Sequence, residues 1–221
     1  MSDSAAHWNA LHANPRFRPV YPSENVVRFV MALRAQLPAQ TRYRLLDIGT
    51  GGGRHMVLAA ELGFSAFGID ISLTGLTHAR ERMQQTNLIG SVALASMTSL
   101  PFADNSFHAV VSYGSFYYAS AIEMRQAITE TRRVLAPGGK SFVALRSTDD
   151  YRYGKGREVG PNTFELDISE TNELGTIQHF VTAHDIAGYF VRFSKLNFEK
   201  AEWTTCDRTR LNSDWMITAE K

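Results

Sequence analysis

Apolar positions in this chain change their period several times, and the changes divide it into elements. Val26, Val27, Val30, Leu33 and Leu37 recur at helical spacing after Ser23, which suits the N-cap of a helix running from Glu24 to Pro38. A regular alternation follows. Strands are predicted over 44–48, 65–69, 91–95, 107–113 and 140–146, with helices over 54–62, 73–85 and 122–135 among them. Gly63 ends the first of these helices, Ser72 offers a cap to the second, and Pro137-Gly138-Gly139 stops the third. Strands spaced by helical crossovers form a parallel sheet covered on both faces, with right-handed connections.

Both ends depart from this rhythm. Residues 1–22 hold Trp8, Pro15, Arg16, Phe17, Arg18, Pro19, Tyr21 and Pro22 without a helical or strand period, so an arm or short helix laid against the domain is expected. After Arg146 the stretch 147–160 is polar, glycine-rich and cationic, which reads as an insertion or lid. The runs 163–168 and 176–181 are candidates for an antiparallel excursion. Thr182-Ala183-His184-Asp185 matches a capping box opening a helix over 185–193. Strand-like runs at 198–205 and 215–220, joined by a polar turn, close the chain. The expected organisation is a single domain: arm 1–22, core 23–146, lid 147–181, and a C-terminal helix and strand hairpin over 182–221.

The most telling stretch is Leu45-Leu46-Asp47-Ile48-Gly49-Thr50-Gly51-Gly52-Gly53-Arg54. An apolar run ends in an acid, breaks into glycines and leads into a helical segment. Glycine lacks a Cβ, so such a turn lets backbone N–H groups approach a ligand beside the positive end of a helix. An adenosine-type cofactor is the expected ligand. Dinucleotide enzymes use a similar turn, but their glycines fall as G-x-G-x-x-G, whereas these fall as G-x-G-x-G. Asp47 precedes the first glycine, where it can anchor the turn and a ligand's ammonium group. Asp70 ends the second strand, suitably placed to accept hydrogen bonds from ribose hydroxyls. Leu100-Pro101-Phe102 follows the third strand, and Leu135-Ala136-Pro137-Gly138-Gly139 precedes the fifth.

Taken in order, these motifs resemble the class I S-adenosylmethionine-dependent methyltransferases, from about Arg42 to Arg146. The resemblance implies an α/β fold: a Rossmann-like three-layer sandwich with a mainly parallel seven-stranded sheet and an antiparallel last strand. It implies S-adenosylmethionine as cofactor, with Asp47, Gly49, Thr50, Gly51 and Gly53 lining the methionine moiety and Asp70 holding the ribose. Ile71 is expected against the adenine, and Ser96 and Met97 at its edge; Ser112 and Tyr21 complete the expected cofactor set. Two positions depart from the family pattern. Ser96 stands where an acid is usual, and lacks the charge that strengthens such a hydrogen bond about twofold. Phe107-His108-Ala109-Val110 replaces the usual Phe-Asp-x-Val, and His108 reads as altered packing at a strand start, not as a base.

Methyl transfer from a sulfonium is an in-line displacement, so alignment and exclusion of water are the protein's main tasks. No fixed catalytic signature is required. The Asn/Asp-Pro-Pro-Tyr motif of adenine- and glutamine-directed enzymes is absent, which weighs against those substrates. Three walls are expected for an acceptor beyond the ends of the fourth and fifth strands. Tyr113, Phe116, Tyr117 and Tyr118 form one, with aromatic filler under a lid as the plain alternative. Arg146 with Arg152, Lys155 and Arg157 of the lid forms a second, with a solvated loop as the plain alternative. Arg18 of the arm belongs to a third. His184 and Tyr117 are the candidates for proton removal, and His179 also lies within reach.

Composition narrows the setting. Net charge is +1, with 44% hydrophobic and 20% charged residues, so nucleic-acid binding through a broad basic surface is not expected. The single cysteine, Cys206, excludes an intrachain disulfide and reads as a semi-buried small apolar residue. The seven histidines show no metal-ligand spacing, so no metal is expected. No stretch approaches the roughly 20 apolar residues of a membrane span, and the N-terminus carries no apolar signal core, so a cytoplasmic monomer or homodimer is expected. The preferred acceptor is a small molecule bearing a carboxylate, phosphate or phosphonate, with O-methylation ahead of N-methylation. Nucleic-acid or protein methylation, nicotinamide-dependent redox chemistry, and non-catalytic S-adenosylmethionine binding in an assembly stay open as alternatives.

Overall fold

The computed structural model describes residues 3–38 and 42–221; the first two residues of the expected arm lie outside the described residues. At the centre, β1 (Arg44–Ile48) pairs in parallel with β2 (Ser65–Asp70) and β4 (Phe107–Ser112). β3 (Gly90–Leu94) adds outside β2, and β5 (Leu135–Arg146) outside β4. β10 (Arg210–Glu220) runs antiparallel to β5, and β9 (Lys195–Thr205) pairs antiparallel with β10. The strand order is β3-β2-β1-β4-β5-β10-β9, a seven-stranded Rossmann-like sheet.

Alternation along β1 shows why the sheet is covered on both sides. Leu45 packs with Val26 and Val30 of α2 (Glu24–Gln36) and with Met56 and Ala59 of α3 (Arg54–Glu61). Leu46 points the other way, into a cluster with Met124 and Ile128 of α5 (Ala121–Val134) and Ile186 of α6 (Ala183–Tyr189). α4 (Leu73–Gln85) joins the first face through Met83. The order reverses between β1 and β4, where helices lead to opposite faces, and a crevice opens at the strands' carboxyl ends.

Of the arm or short helix expected at the N-terminus, the structure has the helix: α1 (Asp3–Ala13) is followed by a 3₁₀ turn at Pro15–Phe17, and other expectations are corrected. It showed no apolar stripe because the face turned to the body of the protein carries Ser4, Trp8 and His12, with mixed chemistry. β5 begins at Leu135, not 140; a register shift opposite Phe107 and Ala109 accommodates the Pro-Gly-Gly stop, and Gly138 donates its N–H to the carbonyl of Lys221. The presumed lid is a second sheet of β6 (Gly156–Gly160), β7 (Thr163–Leu166) and β8 (Ile177–His179). β6 was invisible in the pattern because most of it is exposed, so pairing with β7 and not burial defines it. Ser23 occupies the N-cap of α2 without a side-chain cap bond. Cys206 is exposed, not semi-buried; with Asp207 and Arg208 it adopts positive φ in the turn of the β9–β10 hairpin.

Candidate cofactor site

The glycine turn takes its shape from backbone bonds that the sheet supplies. The N–H groups of Gly49 and Thr50 both donate to the carbonyl of Ile69, at 2.9 Å each, tying the end of β1 to the end of β2. Gly53 has φ 78° at the N-cap of α3, and a Cβ there would lie 2.9 Å from that of Ala79. Gly49 has φ 73°, and a Cβ there would run into Ser115. Both positions therefore need glycine for conformation and for close approach. Thr50 donates its hydroxyl to Asp47 Oδ2 at 2.7 Å. Asp47 Oδ1 has no hydrogen-bond partner, although the residue is only 1% exposed. His55 Nδ1 stands 3.7 Å from this oxygen, beyond hydrogen-bond distance, so a buried carboxylate oxygen beside the turn still has room for a closer donor.

Asp70 is built into the same structure. Its Oδ2 accepts from the N–H of Gly51 and its Oδ1 from that of Ser72, both at 2.8 Å. Burial raises its pKa, against the pull of those two N–H groups and of His12. Asn9 of α1 reaches across to the start of α4, accepting from the Ser72 hydroxyl and the Thr74 N–H at 3.0 Å.

These groups surround a cavity of about 270 Å³ at the carboxyl ends of β1, β2 and β4. Ile48, Gly49, Ile69, Asp70 and Ile71 form one side, Ala95 to Thr98 a second, and Gly114, Ser115, Tyr118 and Glu123 a third. Ser4, Trp8 and His12 close it from α1. Trp8 meets Tyr118 edge to face, with ring centroids 4.7 Å apart.

Residues 45–139 match a family model described as a methyltransferase domain. An uncharacterized methyltransferase of Mycobacterium tuberculosis is 31% identical over 157 residues, covering 71% of this chain and 58% of that protein. The chain thus spans less than two thirds of the length of these curated relatives. A demethylmenaquinone methyltransferase of Renibacterium salmoninarum is 36% identical over 117 residues, 53% of this chain and 46% of that one. The crystal structure of an S-adenosylmethionine-dependent methyltransferase from Methanosarcina mazei shares the fold, with a TM-score of 0.72 at 24% identity over 86% of this chain and 96% of that one. The chain is therefore similar in sequence to methyltransferases over residues 45–139, and over most of its length it has the fold of the S-adenosylmethionine-dependent methyltransferase family.

S-adenosylmethionine is the cofactor of that family, and the residues present fit it: an orphan carboxylate oxygen on Asp47, a glycine cradle, and a second carboxylate on Asp70 facing the cavity. Of the expected methyltransferase cofactor residues, Gly49, Asp70, Ile71, Ser96 and Met97 line the cavity, while Asp47, Thr50, Gly51 and Gly53 shape the turn behind it. Ser96 hydrogen-bonds Thr98 within its own turn at 2.8 Å. Two do not belong. Tyr21 is 83% exposed, and its carbonyl accepts from Arg54 at 3.2 Å. Ser112 is fully buried beneath the cavity, paired with the hydroxyl of Ser115 at 2.6 Å, so Ser115 is the residue that reaches the surface there.

The acceptor walls need more correction. Only Tyr118 faces the cavity; Phe116 and Tyr117 are buried in the core, and Tyr113 packs edge-on against His55. Burial pushes the Tyr117 phenol far above its ordinary pKa, which removes it as a base. The Arg146 guanidinium stacks over Tyr117, 4.1 Å from its ring centroid, and is engaged by Glu173 at 3.0 Å and by Gln178. Arg152 pairs with Glu173 at 2.5 Å and Asp150 at 2.9 Å. Arg157 pairs with Glu165 on the surface, and Lys155 is exposed; neither lines the cavity. Arg18 lies on the outer side of the turn near Gly52. The cations of the supposed clamp are thus consumed by neighbouring acids or face solvent.

His184 is exposed on α6 and away from the cavity. His179 is held by Thr163 and Tyr189, both at 2.8 Å, so it serves packing. His108 accepts from the Arg44 N–H at 3.1 Å, which is the strand-start role expected of it. His55 is buried, accepts from the Ser23 N–H at 3.3 Å, and ties α2 to the turn.

Two groups escaped the sequence reading. Ser4, Trp8 and His12 recur every fourth residue, which stacks them on one helix face; the signal was a polar and aromatic period, not an apolar one. Glu173 accepts from the Tyr118 hydroxyl at 2.8 Å as well as from Arg146 and Arg152, so it links the second sheet to the cavity wall. No local pattern marks a loop acid for that task.

Proposed function

We propose that this protein transfers the methyl group of S-adenosylmethionine to a small-molecule acceptor held beside Trp8 and Tyr118. One observation carries the reading: a single cavity at the β1/β4 reversal joins the glycine turn and Asp70 to this aromatic wall. In it, Asp47 and the turn Gly49 to Gly53 hold the methionine end, Asp70 the ribose, and Ile71, Ser96 and Met97 the adenine. S-adenosylmethionine supplies a methyl group already activated by its sulfonium. The chain's own residues then have to align the acceptor and keep water out. α1 covers the cavity, and Trp8 packed on Tyr118 closes the side opposite the turn.

Among the described residues no lysine or arginine lines the cavity, whose charged members are Asp70 and Glu123. That lining favours an uncharged, planar acceptor over the carboxylate, phosphate or phosphonate expected from the basic residues of the second sheet. Tyr118 donates to Glu173 and its pKa is driven well up by burial and by Tyr117, so it offers no base. Acidic phenols and enols, which enter neutral and pass their proton to water as the oxygen attacks, suit this site on the oxygen side, and neutral amines on the nitrogen side. Relatives named demethylmenaquinone methyltransferases support a small-molecule acceptor. Among the described residues no helix is long and apolar enough to cross a membrane. With the near-neutral charge, this supports a cytoplasmic enzyme without a nucleic-acid partner.

Titration calorimetry with S-adenosylhomocysteine is expected to show one site, and labelled methyl transfer to a panel of phenols, enols, amines, carboxylates and phosphates reads the acceptor. Turnover confined to the anionic acceptors would reverse the preference stated here. Binding without transfer to any member would favour the non-catalytic alternative. With whichever acceptor works, Lys155→Ala and Arg157→Ala are expected to change KM less than twofold; a tenfold rise would restore the cationic clamp.

A further inference from the structure

His12 stands apart from the other histidines because its ring is wedged between two glycines. A Cβ at Gly75 would lie 2.6 Å from Nδ1, and one at Gly51 would lie 3.2 Å from Nε2. Glycine at both places is what admits the ring. The residue is 9% exposed and lines the cavity beside Asp70. Nδ1 is buried and has no hydrogen-bond partner, whereas Nε2, on the Gly51 side of the ring, is not among the buried unpaired atoms.

This geometry selects a tautomer. The Cα–H of Gly75 points at Nδ1, which suits a lone pair and leaves no acceptor for an N–H. A buried N–H without a partner costs about 1–3 kcal/mol, whereas an unpaired lone pair is tolerated more readily. The proton of the neutral ring therefore sits on Nε2. Burial holds the imidazole pKa below its ordinary value; Asp70 pulls it up, while His78 and Arg18 push it down, which favours the neutral ring over the imidazolium. The neutral ring is then a donor at the edge of the cavity, next to a carboxylate that only accepts.

A ribose hydroxyl matches that pair, since it donates to a carboxylate and accepts from an N–H through one oxygen. Building on the reading that the cavity holds S-adenosylmethionine, we infer that His12 is a cofactor-binding residue whose Nε2–H donates to a ribose hydroxyl held from the other side by Asp70. The N-terminal helix then reads the cofactor's sugar as well as covering it.

Calorimetry on the full chain tests this with S-adenosylhomocysteine and its 2′-deoxy and 3′-deoxy analogues. His12→Phe, which keeps a ring and removes the donor, is expected to weaken S-adenosylhomocysteine binding about tenfold. Against one of the two deoxy analogues it should lose nothing relative to the unmodified protein. His12→Gln, whose amide nitrogen can stand near the position of Nε2, should recover affinity to within about threefold. An unchanged affinity in His12→Phe overturns the inference. So does an equal loss with all three ligands, or a His12→Gln as weak as His12→Phe, because each assigns the ring to packing alone. If the unmodified protein binds none of the three, the cofactor reading itself falls and this inference with it.

Discussion

Asp70→Ala is expected to lower affinity for S-adenosylhomocysteine by a hundredfold or more. The carboxylate has two tasks. It accepts from Gly51 and Ser72, which holds the glycine turn against the end of β2, and its remaining lone pairs face the cavity. Hydrogen bonds to a charged group contribute about 1.5–3 kcal/mol each. Losing two to a ribose diol costs about 3–6 kcal/mol, or roughly 10²–10⁴ in Kd at 1.4 kcal/mol per decade. Releasing the Gly51 N–H adds to the loss by loosening the turn. Asp70→Asn keeps one acceptor oxygen and is expected to fall between. Calorimetry on both variants, with circular dichroism to confirm folding, reads the effect. A folded Asp70→Ala that binds within threefold of the unmodified protein would remove this carboxylate from the site.

The second large effect lies outside the cavity. Glu173→Ala is expected to destabilise the protein by about 3–5 kcal/mol, because it leaves the buried Arg146 guanidinium with Gln178 as its hydrogen-bond partner and no closely bonded acid, and leaves Arg152 with Asp150 alone. For a chain of this size each kcal/mol shifts Tm by about 2–4 °C, so a drop on the order of 10 °C is expected in a thermal melt. Asp214 compensates only in part: its Oδ1 is 3.8 Å from Arg146 Nε, close enough for an ion pair, but neither atom has a hydrogen-bond partner. A melt within 3 °C of the unmodified protein would show that water or a rearranged Asp214 satisfies Arg146.

The same cluster predicts a pH profile. Burial pushes Glu173 up, but Arg146 and Arg152 outweigh it and hold the carboxyl at about 2. A depressed folded pKa means that its stabilisation is complete above the usual carboxylate value near 4.5 and is lost as pH falls towards 2. Asp214 has the opposite sign. Burial outweighs the pull of Arg146 and raises it to about 6, so its ionisation costs stability as pH rises from about 4 through 6. Denaturant unfolding from pH 2 to 7 should therefore show a rise up to about pH 4.5 that Glu173→Gln reduces, with Glu130 and Asp185, also held low, contributing to the remainder. Asp214→Asn should flatten a decline between about 4 and 6. A Glu173→Gln variant that keeps the acid limb unchanged would contradict the assignment.

Local chemistry decided more of this molecule than its length would suggest. β1, α4 and the glycine turn follow from apolar spacing, a Ser72 cap and residues without a Cβ, all of which act within a few positions of the chain. Position along the chain also placed Asp70, because the end of a strand next to a reversal point is where a ligand meets the sheet. The cationic clamp failed for a complementary reason. Arg146, Arg152 and Arg157 are visible as charges in the sequence, but whether a charge is free depends on acids brought near by folding, and Glu173 and Glu165 arrive from other elements. β6 escaped notice, and α1 could not be told from an irregular arm, because neither is held by an apolar stripe. One carries the polar and aromatic side chains that close a cavity, and the other is an exposed edge defined by its partner strand. Patterns of burial are written in the order of residues; the pairing of charges and the shape of a cavity arise only when distant segments meet, since both depend on distances that the order of residues does not contain.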